Sequence, residues 1–385
     1  MNIGITRRAF LAGAALLPVA LRAGAAAGQP FSFIFLGDTH LDRLEHHDMA
    51  WLEREKPNDV RQVRNYSRIT SEVTPQLFAT LRDTVAASSR KPGPEIKFIA
   101  QAGDFVEGLC GTPQLARRHA SDGVAFVREA KLGAPFLIAK GNHDITGPGA
   151  REAYDEVILP FLSEQLRQAK KLSGRLETGF YAFEQGNALM VFFDAYDHPR
   201  ALDWLEVTLS KRTAQHLFFF SHPPVAPYGA RSNWHLYAKA TKATEGTSRT
   251  RLLNLLGEHQ AIALNAHIHK YNLLVRETPR GRFLQLAMCS VAPRPQVEPR
   301  LTLSGVQEYT PDQIKVEPDF SPENEVERRA LLQAEAQFVK QFEYGDAPGY
   351  AVVNVDGARV DANLYAGTAR EPWRRLDLSA LLAEK

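Results

Sequence analysis

Five short runs of residues carry side chains able to do chemistry: Asp38-Thr39-His40, Gly103-Asp104, Gly141-Asn142-His143-Asp144, Ser221-His222-Pro223-Pro224 and His267-Ile268-His269. Carboxylate, imidazole and amide oxygen together suit divalent first-row metals, and an aspartate between two cations bridges them through its two oxygens. Two such ions lower the pKa of a shared water and clamp both oxygens of an in-line displacement at phosphorus. Thiolates are missing from the runs. Cys110 and Cys289 are the only cysteines, too few for a disulfide framework or a cysteine-rich zinc site. Singly the runs differ: Gly103-Asp104 is a turn more often than a ligand, whereas Gly141-Asn142-His143-Asp144 is the most specific, since a turn rarely needs Asn, His and Asp in succession. Their weight is joint.

What makes it joint is the element before each run. Apolar strands are predicted at 31–36, 96–100, 135–139, 216–220 and 261–264, and each ends at one of the five motifs. Side chains at strand tips of an open α/β sheet converge on one crevice. Helices are predicted at 75–88, 120–131 and 150–171, so the core is layered α/β. Further strands at 179–184, 188–193 and 283–288, without long helices between all of them, make the sheet mixed. Alternation along 267–269 puts both histidine rings on one face. Residues 292–349 are rich in proline and charge, with one helix around 324–344. A hairpin follows at 350–355 and 359–365, closed by Asp356-Gly357.

The 385 residues are 44% hydrophobic and 23% charged, ordinary globular composition. Lys+Arg 46 against Asp+Glu 44 leaves no basic field, so no nucleic-acid partner is expected. Residues 1–27 contain no acid. Thr6-Arg7-Arg8-Ala9-Phe10-Leu11 opens an uncharged stretch at 9–21, and small residues follow at 23–27. That stretch is short of the roughly 20 residues a membrane span needs. The segment resembles a cleavable twin-arginine signal, with an ordinary secretory signal as the alternative. The expectation is a periplasmic or secreted protein with no stable membrane anchor, using the twin-arginine export machinery. Without Arg7, Arg8 and Arg22 the balance is 43 basic to 44 acidic. Outside the cytoplasm a Cys110–Cys289 disulfide and two buried thiols both remain open.

In this order the five motifs resemble the calcineurin-like metallophosphoesterase family, over residues 31–288. The resemblance implies an α/β fold of two packed mixed β-sheets flanked by helices. A catalytic domain at 28–292 would then lie between the signal, 1–27, and a C-terminal extension, 293–385, whose hairpin completes the sheet. It implies two divalent ions, with manganese, iron, zinc, cobalt and nickel all admissible. Asp38, His40 and His269 would bind the first, Asp104 would bridge, and Asn142, His222 and His267 would complete the second. His143 would contact the phosphate and protonate the leaving group, and Asp144 would orient its imidazole. The implied activity is hydrolysis of a phosphomonoester or phosphodiester by attack of a metal-bound hydroxide. A non-catalytic periplasmic metal- or ligand-binding protein is the alternative, against which His143 and Asp144 argue, because storage needs no leaving-group acid.

Three features depart from the family pattern. Ala266 stands where glycine usually precedes the first histidine of the last motif. Glu107 stands where the related purple acid phosphatases carry a metal-bound tyrosine. Residues 41–68, with His46 and His47, read as a solvated helix-loop insertion, the alternative being a lid over substrate. The expected substrate is a small-molecule or lipid-derived phosphate ester. Residues 224–251 form a candidate substrate loop, in which Trp234 and Tyr237 would stack a base or sugar and Arg231 would hold a phosphate oxygen. The alternative is a loop that simply packs its aromatics.

Overall fold

The apolar run Phe31–Leu36 is buried at all six positions, as a central strand with both faces covered must be. The computed structural model describes residues 28–90, 92–238 and 243–384; the twin-arginine-like segment lies outside them. In chain order the strands are β1 (Phe31–Leu36), β2 (Glu95–Gln101), β3 (Phe136–Ile138), β4 (Tyr181–Gln185), β5 (Ala188–Phe192), β6 (His216–Phe220) and β7 (Ile262–Asn265). There follow β8 (Tyr271–Thr278), β9 (Gly281–Ala287), β10 (Arg300–Ser304), β11 (Val339–Asp346), β12 (Gly349–Asp356), β13 (Arg359–Ala366) and β14 (Arg374–Asp377). They build two sheets, ordered β14-β13-β12-β1-β2-β3 and β10-β11-β8-β9-β7-β6-β5-β4. β1, β2 and β3 run parallel, as do β5, β6, β7 and β9, with antiparallel strands outside them. Both sheets are mixed, as expected.

The sheets pack face to face through aromatic rings. Phe33 of β1 stacks on Phe98 of β2 at 5.0 Å between centroids and meets Phe218 of β6 edge-on at 5.1 Å. Along β5, Ala188, Met190 and Phe192 enter this core, whereas Leu189 and Val191 face the helices His198–Ser210 and Ala243–Glu258. The helices Thr74–Ser88, Pro113–Ala130 and Leu159–Gln168 add their apolar residues to the first sheet's side of the core. No helix of the described residues is long and apolar enough to cross a membrane. Cys110 and Cys289 are both buried and free.

Four local expectations change. The helix around 324–344 is only Glu325–Ala336; the remainder is β11, held by its ladder to β8, a strand the pattern did not mark. Asp356 pairs with Arg359, so the hairpin turn is Gly357-Ala358. The helix at 150–171 is broken by a π-turn at Tyr154–Ile158. Residues 41–68 are solvated on one side only: Glu53, Arg54, Glu55, Lys56, Arg61 and Arg64 are exposed, whereas Leu41, Asp42, His46, His47, Leu52, Val63 and Tyr66 are buried. The helix Val60–Glu72 turns Val63, Tyr66 and Ile69 inward on one face.

Candidate metal centre

All five motif loops leave the C-terminal ends of parallel strands: β1, β2 and β3 of one sheet, β6 and β7 of the other. Their tips meet. Asp38 Oδ1 is 3.3 Å from His269 Nε2, which is 3.1 Å from His40 Nε2, itself 3.7 Å from Asp104 Oδ2. On the other side, Asp104 Oδ2 is 2.9 Å from His222 Nε2. That nitrogen is 3.0 Å from His267 Nδ1 and 3.1 Å from Asn142 Oδ1. The residues thus form two groups, Asp38–His40–Asp104–His269 and Asp104–His222–His267, with Asp104 in both and Asn142 beside the second. Gly141 permits the second and third motifs to meet, because a Cβ there would overlap the Asp104 amide nitrogen.

The geometry fits divalent ions. Ligands about 2.1 Å from one ion lie roughly 3.0–3.4 Å apart at octahedral to tetrahedral angles, and the separations here, from 2.9 to 3.7 Å, bracket that spacing. Ligands must also be deprotonated. Burial pushes Asp38 up, but the imidazoles of His269 and His222 outweigh it and hold the carboxyl at about 2. Burial likewise opposes ionisation of Asp104, and His222 and His143 overcome it, leaving the pKa well below the usual range. Burial, with His222 adding, pushes His267 down to about 3, so its ring is neutral.

Backbone strain gathers here. His40, Asp104, His267 and His269 have φ of 40°, 52°, 73° and 60°, the left-handed region that costs a non-glycine residue energy. This explains Ala266, since the left-handed residue is His267 itself. It also corrects the expected alternation. β7 stops at Asn265, and the two left-handed turns send His267 and His269 into different groups.

His143 lies beside the groups. Its Nδ1–H donates to the Glu107 carbonyl at 2.7 Å, and its backbone N–H donates to Asp104 Oδ1 at 2.8 Å. Burial lowers the ring's pKa, but the carboxylates of Glu107 and Asp104 raise it further, to about 9. Asp144, expected to orient this imidazole, instead accepts the backbone N–H of Val106 and of Gly141, at 3.1 and 2.7 Å. From the short turn His143–Ile145 it thus ties two motif loops together. Burial and Asp104 raise its own pKa to about 6.

Two contacts went unread. Glu107, fully buried, places Oε2 2.6 Å from His40 Nδ1, and its Oε1 accepts from Gln62 at 2.9 Å. Tyr66 stacks on His40 with centroids 4.4 Å apart and sets its hydroxyl 3.2 Å from His269 Nδ1. Glu107 was visible as a departure from a motif, but no local pattern marks Tyr66.

A cavity of about 600 Å3 opens over the centre, lined by Asp104, Asn142, His143, Arg231, Trp234 and Tyr237 among others. Trp234 is tilted against His267, centroids 5.3 Å apart. Arg231 lies 5.0 Å from the Trp234 ring and 4.6 Å from Phe320, with Nε 3.2 Å from Glu317. Tyr228 and His235, of the same loop, are buried.

The calcineurin-like phosphoesterase family profile matches residues 31–271. No curated protein matches the chain. Among solved structures it is similar to GAP50, the anchor in the inner membrane complex of Plasmodium (13% identity, 91% of this chain and 88% of that one covered, TM-score 0.45). It is also similar to PhoD (12%, 92% and 69%, 0.48) and to the 5'-nucleotidase of Candida albicans (11%, 66% and 45%, 0.35). Likeness at this level carries no inference about activity.

Proposed function

The chain belongs to the calcineurin-like phosphoesterase family, metal-dependent hydrolases of phosphate esters, and on that footing we propose an exported enzyme that uses two divalent ions on a small or lipid-derived phosphate mono- or diester. One observation carries the reading: Asp104 belongs to both groups of ligand-type side chains. Asp38, His40 and His269 would hold one ion, Asn142, His222 and His267 the other, with Asp104 shared. Bound there, the ions supply Lewis acidity toward phosphate oxygens and acidify water, whichever of manganese, iron, zinc, cobalt or nickel is present.

The chain's own residues do the rest. With Nδ1–H committed to the Glu107 carbonyl and the Glu107 carboxylate favouring the charged ring, His143 is set to hold a second proton on Nε2. It delivers that proton to the leaving-group oxygen. Asp144 holds the loop that aims it. Trp234 and Tyr237 wall the space for the alcohol portion of the ester, and Arg231 brings positive charge to it. Export is supported by Thr6-Arg7-Arg8-Ala9-Phe10-Leu11 ahead of an uncharged stretch.

The test is turnover of an aryl phosphate monoester and diester by metal-analysed protein, with manganese and with chelator. Chelator-sensitive hydrolysis with near two ions per chain is expected. Two ions with no turnover on any phosphate ester would favour the binding-protein alternative, and absence of metal would overturn the site.

A further inference from the structure

Away from the cavity, Asp42, His46 and His119 form another group of ligand-type side chains, one donor atom of each lying within 4.8 Å of the others. All three are buried, none more than 2% exposed. His46 Nε2 meets the Asp122 carboxylate at 2.8 Å, which makes it the protonated nitrogen. Its Nδ1 then keeps a lone pair, and that atom is buried with no partner among the described residues. A carboxylate behind a histidine is the outer partner that metal-ligating imidazoles have.

The other two donors stand together, each held by hydrogen bonds of its own. Asp42 Oδ1 is 3.3 Å from His119 Nε2, the separation of two ligands about 2.0–2.1 Å from one tetrahedral ion. Asp42 is oriented by His47 Nε2 on Oδ1 at 2.7 Å and by the Ser67 hydroxyl on Oδ2 at 2.6 Å. On the far side of the His119 ring, Nδ1 is 3.1 Å from Cys110 Sγ, so a proton there has a partner when Nε2 gives up its own. His119 Nε2–H donates to the Leu41 carbonyl at 2.7 Å, so an ion at Nε2 would replace that proton and have the carbonyl oxygen beside it. A cavity of about 10 Å3, room for one small ion, is lined by Asp42, His46 and His119.

We propose that Asp42, His46 and His119 bind a structural divalent cation of the zinc type, separate from the catalytic centre. The ion fastens the turn Leu44–His46 to the helix Pro113–Ala130. It thereby braces the loop from which His40 projects. The catalytic residues take no part in it.

The full chain is stripped with chelator, reloaded with zinc, desalted and analysed, as wild type, His46→Gln and His119→Gln. Each variant should retain one ion per chain fewer than wild type, whatever the wild-type total. Equal zinc in all three overturns the proposal. If a variant does not fold, an anomalous map at the zinc edge from wild-type crystals grown with zinc decides. A peak among Asp42, His46 and His119 supports the site, and no peak there overturns it. The same map shows separately whether zinc lies at Asp104, so failure of the catalytic reading is not mistaken for failure of this one.

Discussion

Glu107 sets a carboxylate oxygen 2.6 Å from Nδ1 of His40, with both side chains fully buried. The approach is off the direction of a good hydrogen bond, so it supplies charge beside the ring rather than a directed bond. The opposite nitrogen of that ring faces the first ligand group. A carboxylate in this place stands behind a ligating imidazole, as the outer partner of the ion that ring would hold. Glu107→Gln keeps the shape and removes the charge. It should loosen the ion held by Asp38, His40, Asp104 and His269 about 10- to 100-fold in competition with a chelator. Unaltered retention would mean the carboxylate serves packing alone.

His143 donates its Nδ1 proton away from the cavity and retains the other for chemistry. His143→Ala should lower kcat about 10²- to 10⁴-fold while metal content stays at the wild-type value. A leaving group that needs little protonation, such as an activated aryl oxide, should suffer least. Undiminished turnover of poor leaving groups would remove His143 from the mechanism.

Because Asp104 sits in both groups and His267 in one, the two should differ in what they cost. Asp104→Ala should empty both positions and abolish measurable hydrolysis. His267→Ala should leave one ion behind. Metal analysis of the two variants side by side checks this, and equal losses would contradict a shared aspartate.

His235 is buried and donates Nδ1–H to the Ser232 carbonyl at 2.7 Å. Burial, with Arg249 adding, pushes its pKa down to about 3. The unfolded chain takes up that proton near pH 6.5 and the folded chain does not, so stability is lost as pH falls below 6.5. Between pH 6.5 and 5 the loss from this one group is about 2 kcal/mol. Urea midpoints of chelated protein should fall less steeply with acid in His235→Gln than in wild type. Parallel slopes would refute the assignment.

Export should fail when Arg7 and Arg8 are both changed to lysine, with the protein remaining in the cytoplasmic fraction. Normal periplasmic yield would rule out the twin-arginine route and leave a general secretory signal.

The strands carrying the motifs were readable because burial on both faces demands an unbroken apolar run, and 31–36 and 216–220 appear with those limits. β11 and β8 were not readable in this way. Their strand state depends on each other's ladder, and 337–344 taken alone continues a helical pattern. The same reason governs 41–68, whose charged residues suggested solvent while Asp42, His46 and His47 turn inward to one another and to the neighbouring loop.

Residue type and position along the chain were therefore enough to name the donors, since carboxylates, imidazoles and an amide at successive strand tips leave few other uses. Residue types and spacing did not divide those donors; the family resemblance implied a division, and the tertiary structure carries it out. The left-handed backbones of His267 and His269 separate a pair of rings that simple alternation would have kept together. Tyr66 reaches His269 across 203 positions of sequence, and Glu107 reaches His40 from the next strand's loop. Contacts of that range follow from how the sheets stack, and local periodicity holds no record of them.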